Sequence, residues 1–80
     1  MFCVYILYSK AIDKYYIGQT EDVQKRLLEH IYRKNLGASD WQLMYSESYI
    51  SRKEAVNRET EIKKKKRRSY LEFLIQNKSD

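Results

Sequence analysis

The sequence predicts an α+β fold: a small three-stranded antiparallel sheet flanked by helices, in the order β-β-α-β-α-α. Three features predict it. Two runs rich in β-branched and aromatic residues stand close together at the front of the chain. A third, alternating run lies near the middle, and between and after these runs apolar residues recur at helical spacing. Phe2 to Ser9 (FCVYILYS) reads as a strand buried on both faces. Lys10 to Lys14 is a polar turn, and Tyr15-Tyr16-Ile17-Gly18 resumes strand character, which makes a hairpin with a loop of about five residues.

Thr20 is then placed to cap a helix, with Glu21 and Asp22 near the positive end of its dipole. Val23, Leu27, Leu28 and Ile31 supply its buried stripe, and Gly37 ends the element or lies in the loop beyond. Leu43 to Tyr49 alternates, with Leu43, Tyr45, Glu47 and Tyr49 on one side and Met44, Ser46 and Ser48 on the other, so it reads as the third strand. Ser51-Arg52-Lys53-Glu54 and Ser69-Tyr70-Leu71-Glu72 each have the form of a capping box. They open helices over roughly 52–66 and 70–77, the second with Leu71, Leu74 and Ile75 inward and packed on the rest.

The chain of 80 residues makes a single domain spanning 1–80, because two cores would each be too small to stabilise themselves. There is no run of 18 apolar residues, so no membrane span is expected. The apolar start lacks a basic leader and a small-residue cleavage site, and reads as a strand. The lone cysteine, Cys3, fits a reducing cytoplasm, and one cysteine with one histidine excludes a structural zinc site built from this chain alone. The net charge of +5 is uneven: Arg52 to Arg68 holds nine basic residues against three acidic ones, a surplus of six. Such a stripe favours a polyanion through phosphate contacts and counterion release. Lys14, Arg58, Lys63, Lys66, Arg67 and Arg68 are the candidate contacts, and a solvated helix face is the alternative.

Five other side chains bear on chemistry. Glu59 shares a helical face with Ala55 and Ile62, all within about 60° of one another. A carboxylate on an apolar face is costly unless it is paired or bound to a cation. It is therefore either an oxygen ligand for a divalent metal or the partner of Arg26, Lys63 or Lys66. Arg26 and His30, at i and i+4, share a face of the first helix where it meets the sheet. A guanidinium there suits charge growing on a phosphate. Tyr5 and Tyr16 stand 11 residues apart on the two arms of the hairpin. Forming phenolate at neutral pH costs about 4 kcal/mol, a cost that nearby cations such as Lys14 and Arg26 lower.

This combination resembles the GIY-YIG nuclease superfamily, and in particular its short single-domain bacterial members related to the UvrC N-terminal nuclease domain. The resemblance runs from Cys3 to about Ile75. Tyr5 matches the tyrosine of the first motif and Tyr16 that of the second, which Gly18 closes. Arg26 matches the helix arginine, His30 a histidine common in one branch, and Glu59 the metal-binding glutamate. The resemblance implies Mg²⁺- or Mn²⁺-dependent endonuclease hydrolysis of DNA phosphodiesters, in repair or recombination. Tyr16 would be the general base toward water, Tyr5 would assist, Arg26 would stabilise the pentavalent phosphate and Glu59 would hold the metal. DNA is the implied partner, branched and single-stranded forms included. Cys3 stands where the first motif has glycine, and the late asparagine of many family nucleases has no clear counterpart, Asn77 being a poor match. The appended DNA-binding domain that usually gives such nucleases their target is missing from these residues, so cutting is expected to be weakly specific or to need a protein partner. The competing expectation is a nucleic-acid-binding module without catalysis.

Overall fold

The computed structural model describes residues 1–34, 37–65 and 67–77, and the side chains of residues 33 and 34 are outside that description. The elements are β1 (Phe2–Ser9), β2 (Lys14–Thr20), α1 (Val23–Glu29), which runs on into a π-helical turn (His30–Lys34), β3 (Gln42–Tyr49), α2 (Arg52–Lys65) and α3 (Arg68–Gln76). The three strands form one antiparallel sheet in the order β2-β1-β3. The expected α+β class and element order are those of the molecule. No helix among the described residues is long and apolar enough to cross a membrane.

β1 is the central strand, which explains its unbroken apolar run: Val4, Tyr5, Ile6 and Leu7 are all buried. Their side chains alternate between two cores. Val4 and Ile6 pack with Ala55 and Ile62 of α2 and Leu71 of α3, while Tyr5 and Leu7 pack with Ala38, Trp41, and Leu27 and Ile31 of the first helix. Helices therefore cover both faces of the sheet.

The hairpin is tighter than expected, because β2 begins at Lys14. Asp13 takes a left-handed backbone (φ 53°), which its short polar side chain tolerates. That carboxylate accepts from the Tyr8 hydroxyl at 2.6 Å and from the Arg68 guanidinium, tying the hairpin tip to α3. Behind the tip, the Ser9 hydroxyl and the Ala11 amide both donate to Asp40, at 2.5 and 2.9 Å, and so pin the turn to the segment entering β3.

Several sequence expectations are corrected. The first helix is capped by Asp22, whose carboxylate accepts from the Lys25 amide at 3.1 Å, because Thr20 is still the last residue of β2. Leu28 is 54% exposed and lies outside the buried stripe. Leu43 does not share a side with Tyr45: Ile6 pairs with Tyr45 but Leu7 pairs with Leu43, so a bulge at Met44 flips the parity and sends Leu43 to the opposite core. Of the Ser51–Glu54 box one half forms, the Glu54 amide donating to the Ser51 hydroxyl, while the Glu54 carboxylate accepts from that hydroxyl at 3.0 Å. The Ser69–Glu72 box does not, since Arg68, held by Asp13, is already the first residue of α3.

Candidate functional site

The site is built where the first helix crosses β1 and β2. Tyr5 is 1% exposed and pairs across the sheet with Gly18. Its phenol lies directly over that glycine: a Cβ at position 18 would sit 2.5 Å from the phenol oxygen and 2.8 Å from the ring carbon bearing it. Gly18 is needed for this close approach and makes no turn. The phenol oxygen accepts from Arg26 Nε at 3.3 Å and lies 3.2 Å from His30 Nε2. With the guanidinium donating to it, the phenol directs its own proton to the imidazole when Nε2 is the unprotonated nitrogen. Burial pushes the Tyr5 hydroxyl above the usual tyrosine range, against the pull of Arg26, and the nearby charges of Tyr16 and Glu59 push it the same way as burial. The hydrogen bond to Tyr5 and the neighbouring Glu29 in turn hold the Arg26 proton more tightly, against desolvation.

Tyr16 completes an aromatic cluster. Its half-buried ring stands 4.5 Å from that of His30 and 6.4 Å from those of both Tyr5 and Trp41. Sequence alone gives Trp41 no role, and the signal there is its being the one tryptophan of the chain. Arg26 is 31% exposed, donates to Glu29 at 3.2 Å, and lines an open groove of about 380 Å³ with Gln19, Thr20, Lys25 and Arg52 and with the carboxylates Glu21, Asp22 and Glu29. On sequence, Thr20, Glu21 and Asp22 stand at the helix start and Arg52 in a capping box, and no residue of this groove but Arg26 has a part in chemistry.

Glu59 comes from α2, on the other face of the sheet. It accepts from Lys63 Nζ at 2.7 Å and is 19% exposed. No hydrogen bond joins it to Tyr5, Tyr16 or Arg26 among the described residues. Among those residues there is also no group of three His, Cys, Asp or Glu side chains able to hold a metal.

The cations named from sequence separate into two sets. Lys14, Lys63, Arg67 and Arg68 line a single groove between β2, α2 and α3. Arg58 is elsewhere: its guanidinium grips Glu47 at 2.9 and 3.0 Å and also meets Glu61 and the Tyr70 hydroxyl, so it is a packing cation with little left for a phosphate. Lys66 lies outside the described residues.

A small sheet that collects two phenols, an imidazole and a guanidinium over one of its faces defines an α+β domain with a clustered polar site. Residues 1–72 match the family model described as the GIY-YIG catalytic domain, and the chain belongs to this family of nuclease domains. A UPF0213 protein of Streptococcus pneumoniae serotype 4 (strain ATCC BAA-334 / TIGR4) is 36% identical over 67 residues, which cover 79% of this chain and 68% of that relative. No solved structure matches the chain.

Proposed function

We propose that this protein is a metal-dependent endonuclease that hydrolyses DNA phosphodiester bonds, working in the cytoplasm in repair or recombination. One observation carries the reading: residues 5, 16, 26 and 30, from three separate elements, converge so that one phenol oxygen lies within hydrogen-bond distance of both a guanidinium and an imidazole, with a second phenol packed against that imidazole. A core built only for stability has no use for a partly exposed guanidinium over a buried phenol at the edge of a groove.

Tyr16, once it has given up its own proton, accepts the proton of the attacking water as that oxygen bonds to phosphorus. The P–O bond to the leaving strand breaks, and the leaving oxygen takes a proton from solvent. Tyr5 stays protonated and, through its hydrogen bonds, holds Arg26 and His30 in place. Arg26 turns its remaining N–H groups to the groove and neutralises charge on the phosphate. The donor set suits Mg²⁺ or Mn²⁺: Glu59 is a single partly exposed carboxylate, and Mg²⁺ is commonly held by one or two carboxylates, with water and substrate phosphate filling the remaining positions. Glu59 would hold the ion, which supplies Lewis-acid stabilisation of the phosphate charge when bound.

Purified protein with Mg²⁺ or Mn²⁺ is expected to nick plasmid DNA, and Tyr16→Phe or Glu59→Gln to abolish this. Nicking that survives both substitutions removes the assigned roles. A binding-only reading is favoured by one observation, the Lys63–Glu59 pair, which occupies the carboxylate. Salt-sensitive DNA binding with no cleavage under either metal would select it.

A further inference from the structure

We infer that the groove between β2, α2 and α3 seats an unpaired nucleotide strand, so that the nuclease proposed above acts where duplex gives way to single strand. The inference rests on that functional reading for its consequence, but on separate residues for its evidence. The groove has a volume of about 360 Å³, at the small end of the range for ligand sites. Its floor is apolar: Tyr15 and Ile17 from β2, Ile62 from α2 and Leu71 from α3. Its rim is cationic, with Lys14, Lys63, Arg67 and Arg68 arriving from three elements.

The combination of floor and rim selects the ligand. A duplex shows phosphate on its outside and keeps its bases stacked, so a basic surface alone would serve it, and an apolar recess would stay empty. An unpaired base needs an apolar or aromatic surface for its face, with positive charge beside it for the backbone. The groove offers both. The Arg68 guanidinium stands 5.2 Å from the centre of the Tyr15 ring and 5.9 Å from that of Tyr8, and the two rings meet at 4.7 Å with planes tilted by 43°, a cation–aromatic cluster at the rim. Arg68 also pairs with Glu72 at 3.4 Å. Among the described residues Asp13 is the one carboxylate lining the groove, and it is already engaged by Arg68 and Tyr8. Those hydrogen bonds hold it ionised, down to about 2, so it fixes the guanidinium across the working pH range. Lys14 and Arg67 make no ion pair among the described residues and remain available to phosphate. Lys63 links this groove to the proposed chemistry, since the ammonium that lines it also pairs with Glu59 at 2.7 Å. A strand seated there therefore brings its backbone next to Glu59.

The test is equilibrium binding in EDTA, where no metal-dependent cleavage intervenes. Fluorescein-labelled oligothymidine, a blunt duplex of equal length and an oligoglutamate peptide are titrated with the full chain. Oligothymidine is expected to bind at least about tenfold more tightly than the duplex, from stacking of one or two bases. The double variant Lys14→Glu/Arg67→Glu, at two exposed positions, is expected to lose at least about tenfold for oligothymidine, and circular dichroism checks that it is folded. Ultraviolet crosslinking of oligothymidine is expected to label the peptide that contains Tyr15. Equal affinity for duplex and single strand, tighter binding of oligoglutamate, or crosslinks confined to α1 would each overturn the inference. A single-strand preference without cleavage in Mg²⁺ leaves the groove assigned and removes the nuclease reading. Cleavage without any such preference does the reverse.

Discussion

Two polar clusters lie on opposite faces of the same sheet, and they use nearly the same residue types to opposite ends. On one face Glu47 of β3 is ringed by Tyr45, Tyr49 and Arg58. One carboxylate oxygen accepts from Tyr49 at 2.6 Å and from Arg58 Nε at 2.9 Å, and the other from Tyr45 and from Arg58 Nη2 at 3.0 Å. Arg58 has further partners in Glu61 and Tyr70. On the other face the centre is a phenol, Tyr5, and its cation Arg26 is only partly engaged, by Tyr5 and Glu29, and opens onto a groove. The first cluster is saturated within the molecule and can only stabilise. The second has N–H groups and a hydroxyl to spare, which is what a substrate needs. Residue type alone does not separate structure from function; the number of partners already satisfied does.

Exchanging the cations breaks the comparison most sharply. Arg26→Ala should lower metal-supported nicking by about 10²–10³, the usual loss on removing one preorganised charge donor, or about 3–4 kcal/mol of barrier. Its effect on urea unfolding should stay within about 1 kcal/mol, since its ion pair with Glu29 is a partly exposed i,i+3 pair. Arg58→Ala should do the opposite. It strands Glu47 in a half-buried position, and unfolding should show a loss of about 2–3 kcal/mol, discounted for partial exposure from the 3–5 typical of fully buried pairs. Nicking per folded molecule should be unchanged. A loss of activity in the Arg58 variant at full folding would mean that the two faces are coupled.

A smaller effect sharpens the account of the open cluster. Gly18→Ala places a methyl 2.5 Å from the Tyr5 oxygen, inside any real contact distance. The phenol must tilt away, at about 1–2 kcal/mol of packing strain, and in doing so it leaves Arg26 and His30. Side-chain resonances of Tyr5 and His30 should shift together in this variant. A shift confined to Gly18 would show that the phenol does not need that position.

Most of the fold was legible because its signals are local. A buried central strand, an alternating strand and a helix with a basic exterior can each be read from a window of a dozen residues. What was missed depended on partners far away in the chain. The bulge at Met44 requires knowing which β3 residue faces Leu7, so Leu43 was assigned to the wrong side. Glu47 was visible as a charge among Tyr45 and Tyr49 on an alternating strand, and the cost argument applied to Glu59 applied equally to it. Its partner Arg58 was instead counted with the phosphate contacts, because a basic run hides the one member that turns inward. At the candidate site, motif spacing singled out Tyr5, Tyr16, Arg26 and His30. It gave no hint of Trp41 or of the groove residues Gln19 and Arg52, which join them only through the packing of the hairpin, the first helix and α2.

The saturated cluster also makes a pH prediction that the open one does not. Burial and the hydrogen bonds to Glu47 push both Tyr45 and Tyr49 from 10.0 up to about 12. A phenol whose folded value is raised contributes stability that is complete below the unfolded value near 10 and is lost as pH rises toward 12. At the acid end, burial works against Glu47, but the bonds from Arg58, Tyr45 and Tyr49 prevail and hold it below the usual glutamate range. Its contribution is present above the unfolded value, about 4.3, and fades as pH falls below it. The urea midpoint should therefore fall at both extremes, and Tyr45→Phe/Tyr49→Phe should flatten the alkaline limb. The acid limb should flatten as well, because Glu47 keeps Arg58 but loses two hydrogen-bond donors and so moves closer to its unfolded value. Its share of acid sensitivity shrinks, and with it the stability it adds at neutral pH. An alkaline limb unchanged in the double variant would place the titration in other tyrosines, Tyr5 first among them, since burial raises that hydroxyl as well.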